Sequence, residues 1–279
     1  MEVGTLGLGR TSDVVMSRAC STIALSLLVA CGSGTSQPPA LAEAGTPLTV
    51  MTFNVNFGVA GERANIDAIA GADADIVLLQ ETTAEAEEVL RRELGDRYPH
   101  ARFRDCCRAG GLGILSRWPI VDDEYLASPI GWFPAWRFVV DTPDGELQLL
   151  DVHLRPPISD SGSWVKGYFT TGKLRREEIV AYAAELERDV PTVLAGDFNE
   201  GENGDALEWL AARGFTSALP QFDAGASTWS WPLPLTSLHA RLDHVVLGPE
   251  LVATGAEVID AGASDHKAVV VTLVRAEAP

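Results

Sequence analysis

The stretch Thr192-Val-Leu-Ala-Gly-Asp-Phe-Asn-Glu200 decides how this chain is read. An apolar run of strand length stops abruptly in a glycine, a carboxylate, an aromatic and an amide. Strands covered on both faces read as unbroken apolar runs rather than alternating ones, so this one belongs inside a layered α/β body. A carboxylate at the end of such a strand costs desolvation energy unless something holds it. Leu147-Gln-Leu-Leu-Asp-Val-His-Leu154 repeats the design, because period-2 alternation puts Asp151 and His153 on one face near the strand's end.

Outward from these two, the same kind of run appears at Leu48 to Asn56, Ile76 to Gln80, Gly113 to Ser116, Phe138 to Asp141, Asp243 to Leu247 and Lys267 to Leu273. Helical spacing links Ala86, Leu90 and Leu94, then Ile179, Ala183 and Leu186, with a third helix near Ala206 to Arg213. Pro143-Asp144-Gly145 is a hairpin signal, so the sheets are expected to be mixed. No linker, repeat or low-complexity tract divides residues 48–276, which are read as one domain.

Taken in order, Thr52-Phe-Asn-Val-Asn56, Leu79-Gln-Glu81, Gly113-Ile-Leu-Ser-Arg117, Asp151-Val-His-Leu154, Gly196-Asp-Phe-Asn-Glu200, Arg241-Leu-Asp243 and Ser264-Asp-His266 resemble the endonuclease/exonuclease/phosphatase superfamily, the fold of pancreatic-type deoxyribonuclease. Each segment alone is a weak signal; seven in the right order over nearly the whole body are a strong one. The resemblance implies a four-layer α/β/β/α sandwich, two mixed β-sheets packed face to face with helices outside. It implies a metal-dependent phosphoric ester hydrolase, more a phosphodiesterase than a monoesterase, with water as nucleophile. A nuclease, a sphingomyelin or phospholipid phosphodiesterase and an inositol-phosphate phosphatase are the alternatives within this class. A phosphate-binding module without turnover is the alternative outside it.

The same resemblance assigns residues. Glu81 is the principal carboxylate for Mg²⁺, or Mn²⁺ in its place, with Asn54 and Asp265 completing or orienting the shell. Mg²⁺ takes one or two carboxylates and keeps room for water and a substrate phosphate. Asp197 orients or deprotonates the attacking water, and Asn199 contacts phosphate. His266 donates to a nonbridging oxygen, Asp243 fixes its tautomer and supports its charge, and His153 is the general acid for the leaving oxygen. Ala268 stands where the family usually has proline, a change in backbone stiffness rather than charge. Arg155, directly after His153-Leu154, is a candidate clamp for a second phosphate or a headgroup.

Composition restricts the partners. The 279 residues carry 39 acidic against 21 basic side chains, a formal charge of −18, with 46% hydrophobic residues. Such a balance excludes a disordered chain and disfavours salt-driven coating of nucleic acid, which needs net Lys and Arg. It leaves open hydrolysis of a phosphate ester in a nucleic acid, a phospholipid or a small organophosphate. Between Arg91 and Arg117 seven arginines face three acids, which reads either as a solvated face or as an anion-attracting rim. Three aromatic stretches, Trp132 with Phe133 and Trp136, Trp164 with Tyr168 and Phe169, and Trp229 with Trp231, are core-edge plugs or stacking surfaces.

At the N-terminus the apolar run Thr22 to Ala30 is too short to span a bilayer, and Ala30-Cys31 resembles the cleavage site of a bacterial lipoprotein signal. Residues 1–30 are then the signal peptide, Cys31 carries the lipid, and residues 31–47 form a tether rich in Gly, Ser, Thr, Pro and Ala. Met16 is the better start of such a signal. The expected location is the bacterial cell envelope, outside the cytoplasm, on a membrane, as a monomer without a protein partner. Cys106 and Cys107 lack metal-site spacing and are read as two half-buried thiols in preference to a disulfide.

Overall fold

The computed structural model describes residues 45–276, apart from 160, 164, 165, 168, 169 and 235. The proposed signal, Cys31 and most of the tether lie outside the described residues, as do Trp164, Tyr168 and Phe169.

Two six-stranded sheets carry the fold. The first runs, in spatial order, β13 (Leu251–Ile259), β14 (Ala268–Arg275), β1 (Leu48–Asn54), β2 (Ile76–Gln80), β4 (Leu112–Ser116) and β3 (His100–Arg104). The second runs β5 (Ile120–Leu126), β6 (Ala135–Thr142), β7 (Gly145–His153), β8 (Thr192–Asp197), β12 (Asp243–Leu247) and β9 (Thr216–Ser217). Among the described strands only the β1–β2 and β7–β8 pairings are parallel, so both sheets are mixed, as the sequence predicts. A two-stranded hairpin, β10 (Trp229–Leu233) and β11 (Thr236–Ala240), is joined to the first sheet by a bridge between Trp229 and His266. The predicted hairpin forms at this point, with Pro143 and Asp144 as its two turn residues between Thr142 and its partner Gly145, whose φ is 96°.

Alternation along each strand separates three apolar layers. Val50, Ile76, Leu78, Ile114, Phe138, Leu149, Val193, Val245 and Val271 meet between the sheets. Met51, Phe53, Val77 and Leu79 face the other way and bury Ile66 and Ile69 of α1 (Arg63–Ala72) and Leu90 and Leu94 of α2 (Ala84–Leu94). Leu150, Val152 and Leu194 do the same for Ile179 and Tyr182 of α3 (Gly172–Ala183) and Leu207 and Leu210 of α4 (Asp205–Ala211). The result is the four-layer α/β/β/α sandwich. No described helix is long and apolar enough to cross a membrane.

One expectation is corrected and one alternative is decided. Cys106 and Cys107 are joined as a vicinal disulfide in the β3–β4 turn, not held as separate thiols. Of the two readings of the arginines from Arg91 to Arg117, the solvated face fits, since most of them are held in ion pairs at the surface. Arg91 pairs with Glu87, Arg92 with Glu93, Arg97 and Arg117 with Asp73, and Arg102 with Asp123, while Arg104 lies over the Tyr125 ring. Glu87 and Glu93 belong to the same helix as Arg91 and Arg92, whereas Asp73 and Asp123 come from neighbouring segments that a local count does not reach.

Candidate active site

The inner face between the sheets turns polar at one end only. Val50, Thr52 and Asn54 follow one another inward on β1; Ile76, Leu78 and Gln80 do so on β2. On β7 the series is Leu149, Asp151, His153, and on β8 it is Val193, Ala195, Asp197. Because β7 and β8 are parallel and β12 is antiparallel to β8, the register sets both His153 and Asp243 opposite Asp197. The ends of β1, β2, β7 and β8 and the starts of β12 and β14 therefore converge on one place.

Below it lies a buried polar floor. Gln80 donates to Asp151 at 2.7 Å and to Thr52 at 3.1 Å, and Asp151 Oδ2 has no hydrogen-bond partner among the described residues. Burial, only partly offset by the Gln80 and Gly113 hydrogen bonds, pushes the Asp151 carboxyl well above its ordinary range. Burial therefore favours the neutral form of Asp151 between the sheets.

Gly196 sits where a side chain is excluded. Its φ is 147°, and a Cβ there would lie 1.9 Å from the Val152 carbonyl oxygen. The next residue, Asp197, is buried and receives its own turn's Asn199 N–H at Oδ1, 2.9 Å. Its Oδ2 accepts from Asn54 Nδ2 at 3.0 Å and faces His153 Nε2 at 3.5 Å and His266 Nε2 at 3.7 Å. Burial holds Asp197 above the usual carboxylate range, with His266 and His153 pulling it down and Asp243 pushing it up.

The His266 ring is fixed through Nδ1, 2.9 Å from Asp243 Oδ2, and that oxygen also accepts the Thr228 hydroxyl at 2.6 Å. Burial disfavours the imidazolium, yet Asp243 and then Asp197 outweigh it and raise His266 to about 10. It is a cation at neutral pH. His153 is oriented differently, with Nδ1 3.0 Å from the Ala109 carbonyl and its ring 4.3 Å from that of Phe133.

Glu81 follows β2 in the left-handed region, φ 60°, and is partly open to solvent. Its two oxygens accept Asn54 Nδ2 at 3.0 Å and the Phe57 N–H at 3.1 Å. Asn54 spends its amide nitrogen on both Glu81 and Asp197, and its Oδ1 on the Asn56 N–H. It orients the two carboxylates in this arrangement rather than turning its carbonyl between them. Asp265 stands apart, held by Asn56 Nδ2 at 2.8 Å and Trp229 Nε1 at 3.0 Å, with no hydrogen bond to Asn54 or Glu81. Asn199 gives an amide N–H to the Leu154 carbonyl at 3.0 Å. Arg155 is buried, its guanidinium 4.5 Å above Trp132 and its backbone N–H on Glu178, so it does not lie on an open rim.

Two groups of side chains suit a cation. Asp197, Asp243 and His266 offer ligand atoms within 4.8 Å of one another. A protonated His266 has no lone pair to give, however, and its Nδ1 is committed to Asp243. The partly exposed carboxylate of Glu81, an oxygen donor tied to the Asp197 carboxylate through the shared Asn54 amide, fits a hard divalent ion better.

A family model for the endonuclease/exonuclease/phosphatase family matches residues 51–266, the span from β1 to His266. The chain belongs to this family. The family's chemistry is metal-dependent hydrolysis of phosphoesters. Among solved structures, the chain is similar to an endonuclease/exonuclease/phosphatase from Beutenbergia cavernae, 23% identical, with a TM-score of 0.67 over 84% of this chain and 72% of that one. It is similar in fold to TDP2 of D. rerio complexed with a single-strand DNA product, 16% identical, TM-score 0.63, over 82% of this chain and 99% of that one. The human Nocturnin catalytic domain with bound sulfate is 15% identical with a TM-score of 0.62, over 82% of this chain and 95% of that one. No curated protein sequence matches the chain.

Four groups at this family site escape sequence reasoning: Phe133 against His153, the Ala109 carbonyl, Thr228 on Asp243 and Trp229 on Asp265. Phe133 and Trp229 lie in two of the aromatic stretches read from the sequence, but without these partners, and a lone threonine or backbone carbonyl has no local signal because it looks the same anywhere. Asn56 lay within a recognised segment but had no assigned role until its contact with Asp265.

Proposed function

We propose that the protein is a phosphodiesterase in which Asp197 activates water, His266 neutralises the developing phosphoryl charge and His153 serves the leaving oxygen. One observation carries this reading: a single oxygen, Asp197 Oδ2, faces Asn54, His153 and His266 at 3.0, 3.5 and 3.7 Å. A carboxylate raised by burial is a better base near neutrality than a free one. The imidazolium of His266 is pre-oriented toward the same point by Asp243 and Thr228, and costs no reorganisation when charge develops. Asn199 keeps a second amide N–H for a phosphoryl oxygen. Glu81, oriented by Asn54, would hold Mg²⁺ or Mn²⁺, with Asp265 at the margin. A bound divalent ion supplies neutralisation of phosphoryl oxygens and acidification of water.

The single-strand DNA product on TDP2 and the sulfate on Nocturnin support a phosphate-ester substrate. With the lipidated Cys31 proposed from the sequence, a membrane phosphodiester is a substrate class equal in standing to nucleic acid. The experiment is hydrolysis of bis(p-nitrophenyl) phosphate with Mg²⁺, followed by single-stranded DNA, duplex DNA, RNA, sphingomyelin and inositol phosphates in parallel. Asp197→Asn is expected to lower kcat by about 10²–10⁴-fold with little change in KM. Full activity in that variant overturns the assigned base, and phosphate-ester binding without hydrolysis by the wild type identifies a binding module instead. Fractionation tests the anchor separately: Cys31→Ser remaining with membranes would refute lipidation.

A further inference from the structure

The β3–β4 turn does more than connect strands. Cys107 and Arg108 are successive non-glycine residues at φ 46° and 66°, a conformation that side chains resist, and the Cys106–Cys107 bond ties the turn at that point. Gly110 N–H closes it on the Cys106 carbonyl at 3.0 Å. Gly110 is so confined that a Cβ would lie 3.0 Å from Cys107 Sγ and 3.1 Å from the Phe133 ring. Phe133 in turn packs on the His153 ring, and the Ala109 carbonyl takes its Nδ1. At its far end the turn is clamped next to Glu81: Thr82 N–H donates to the Gly111 carbonyl at 3.1 Å, and a Cβ on Gly111 would meet Thr82 O at 2.0 Å. One continuous set of contacts thus joins the disulfide to His153 and to the residue after Glu81.

We propose that the Cys106–Cys107 disulfide is a positioning element for His153, holding the Ala109 carbonyl on Nδ1 so that Nε2 faces Asp197, and that a dithiol reductant releases it. The proposal rests on the reading of His153 as the group serving the leaving oxygen. Cys107 is exposed, so a thiolate can reach it. The reductant's thiolate attacks a cysteine sulfur, the S–S bond breaks to give a mixed disulfide, and the second reductant thiol displaces it. Two electrons and two protons pass to the protein, leaving two thiols on Cys106 and Cys107 and a cyclic disulfide on the reductant. The carbonyl of residue 109 then loses its fixed place.

The full-length protein, purified without reductant, tests this directly. Peptide mass mapping should show residues 106 and 107 oxidised. Dithiothreitol should lower kcat on bis(p-nitrophenyl) phosphate by at least about tenfold while KM and Tm hold, a part of what a positioned acid contributes. Reoxidation should restore it. Cys106→Ser/Cys107→Ser should show the lowered kcat from the start and no response to dithiothreitol. The ¹⁵N spectrum of the His153 imidazole should show a protected Nδ1–H in the oxidised form that is lost on reduction. Free thiols in the unreduced protein, or an imidazole spectrum and kcat indifferent to reduction, overturn the proposal. If no phosphate ester is hydrolysed, the functional reading fails by itself, and the imidazole spectrum alone still decides this one.

Discussion

At the residue scale, charge placement controls the chemistry. His266 is raised to about 10 because Asp243 and Asp197 outweigh burial. An imidazole whose folded value exceeds its unfolded value of about 6.5 contributes stability that is complete below that pH and lost as pH rises through the folded value. The His266 Cε1 proton resonance is therefore expected to titrate near 10 in the wild type. In Asp243→Asn the transition should fall by at least about one unit, with loss of activity on the alkaline side. A titration near the ordinary histidine value in both proteins would contradict the charged state assigned here. Asp151 shows the opposite sign. Its folded value is raised by burial, so its stability penalty sets in as pH rises above about 4 and grows until the folded value is passed. Urea denaturation should find Asp151→Asn equal to wild type near pH 4, and more stable at pH 8 by on the order of 1–3 kcal/mol, the cost of an unsatisfied buried polar group.

At the element scale, the eight strands legible in the sequence are the four interior strands of each sheet: β14, β1, β2 and β4 in one, β6, β7, β8 and β12 in the other. Those that escape it, β3, β5, β9 and β13, are the edges, and the β10–β11 hairpin belongs to neither sheet. The reason is solvation. An interior strand is covered on both faces and must be apolar throughout, whereas β5, with Asp122, Asp123 and Glu124, shows most of its side chains to water and carries no strand-like run. Helix α1 is missed for a related reason, as its alanine-rich stretch buries only Asn65, Ile66, Ala68 and Ile69. The parallel β7–β8 contact makes its own demand. Gly196→Ala would push a methyl group to 1.9 Å from the Val152 carbonyl oxygen, so the strands must part. A loss of more than about 4 kcal/mol is expected, read as a collapse of soluble yield or of Tm. A Tm equal to wild type would show that β8 does not approach β7 as described.

At the scale of the whole molecule, the site exists because two sheets end their shared core at the same edge. Asn54, Glu81, His153, Asp197, Asp243 and His266 come from strand ends separated by up to about two hundred residues and would repel or desolvate one another without the amide of Asn54 and the imidazoles between them. The carboxylates are held ready for a cation, and binding should be visible without turnover. Mg²⁺ is expected to raise the wild-type Tm, with about 2.7 kcal/mol of added stability at a hundred times Kd, and to do nothing for Glu81→Gln. An equal shift in both proteins would move the metal to the Asp197, Asp243 and His266 group. The net charge of −18 enters only as a background. It disfavours tight, salt-driven wrapping of nucleic acid and leaves the hydrolysis of one phosphate at a time untouched.

The sequence by itself determined the layered α/β class, the interior strands and the residues at their ends, because continuous burial and the cost of a polar strand end are written locally in residue type. It could not determine which partners those residues take. That Asn54 bridges two carboxylates, that Arg155 is interior, that Arg117 pairs with Asp73 and Arg102 with Asp123, and that the Ala109 carbonyl meets His153 Nδ1 are all long-range facts. They follow from strand register and sheet packing, which bring together side chains that no local pattern connects.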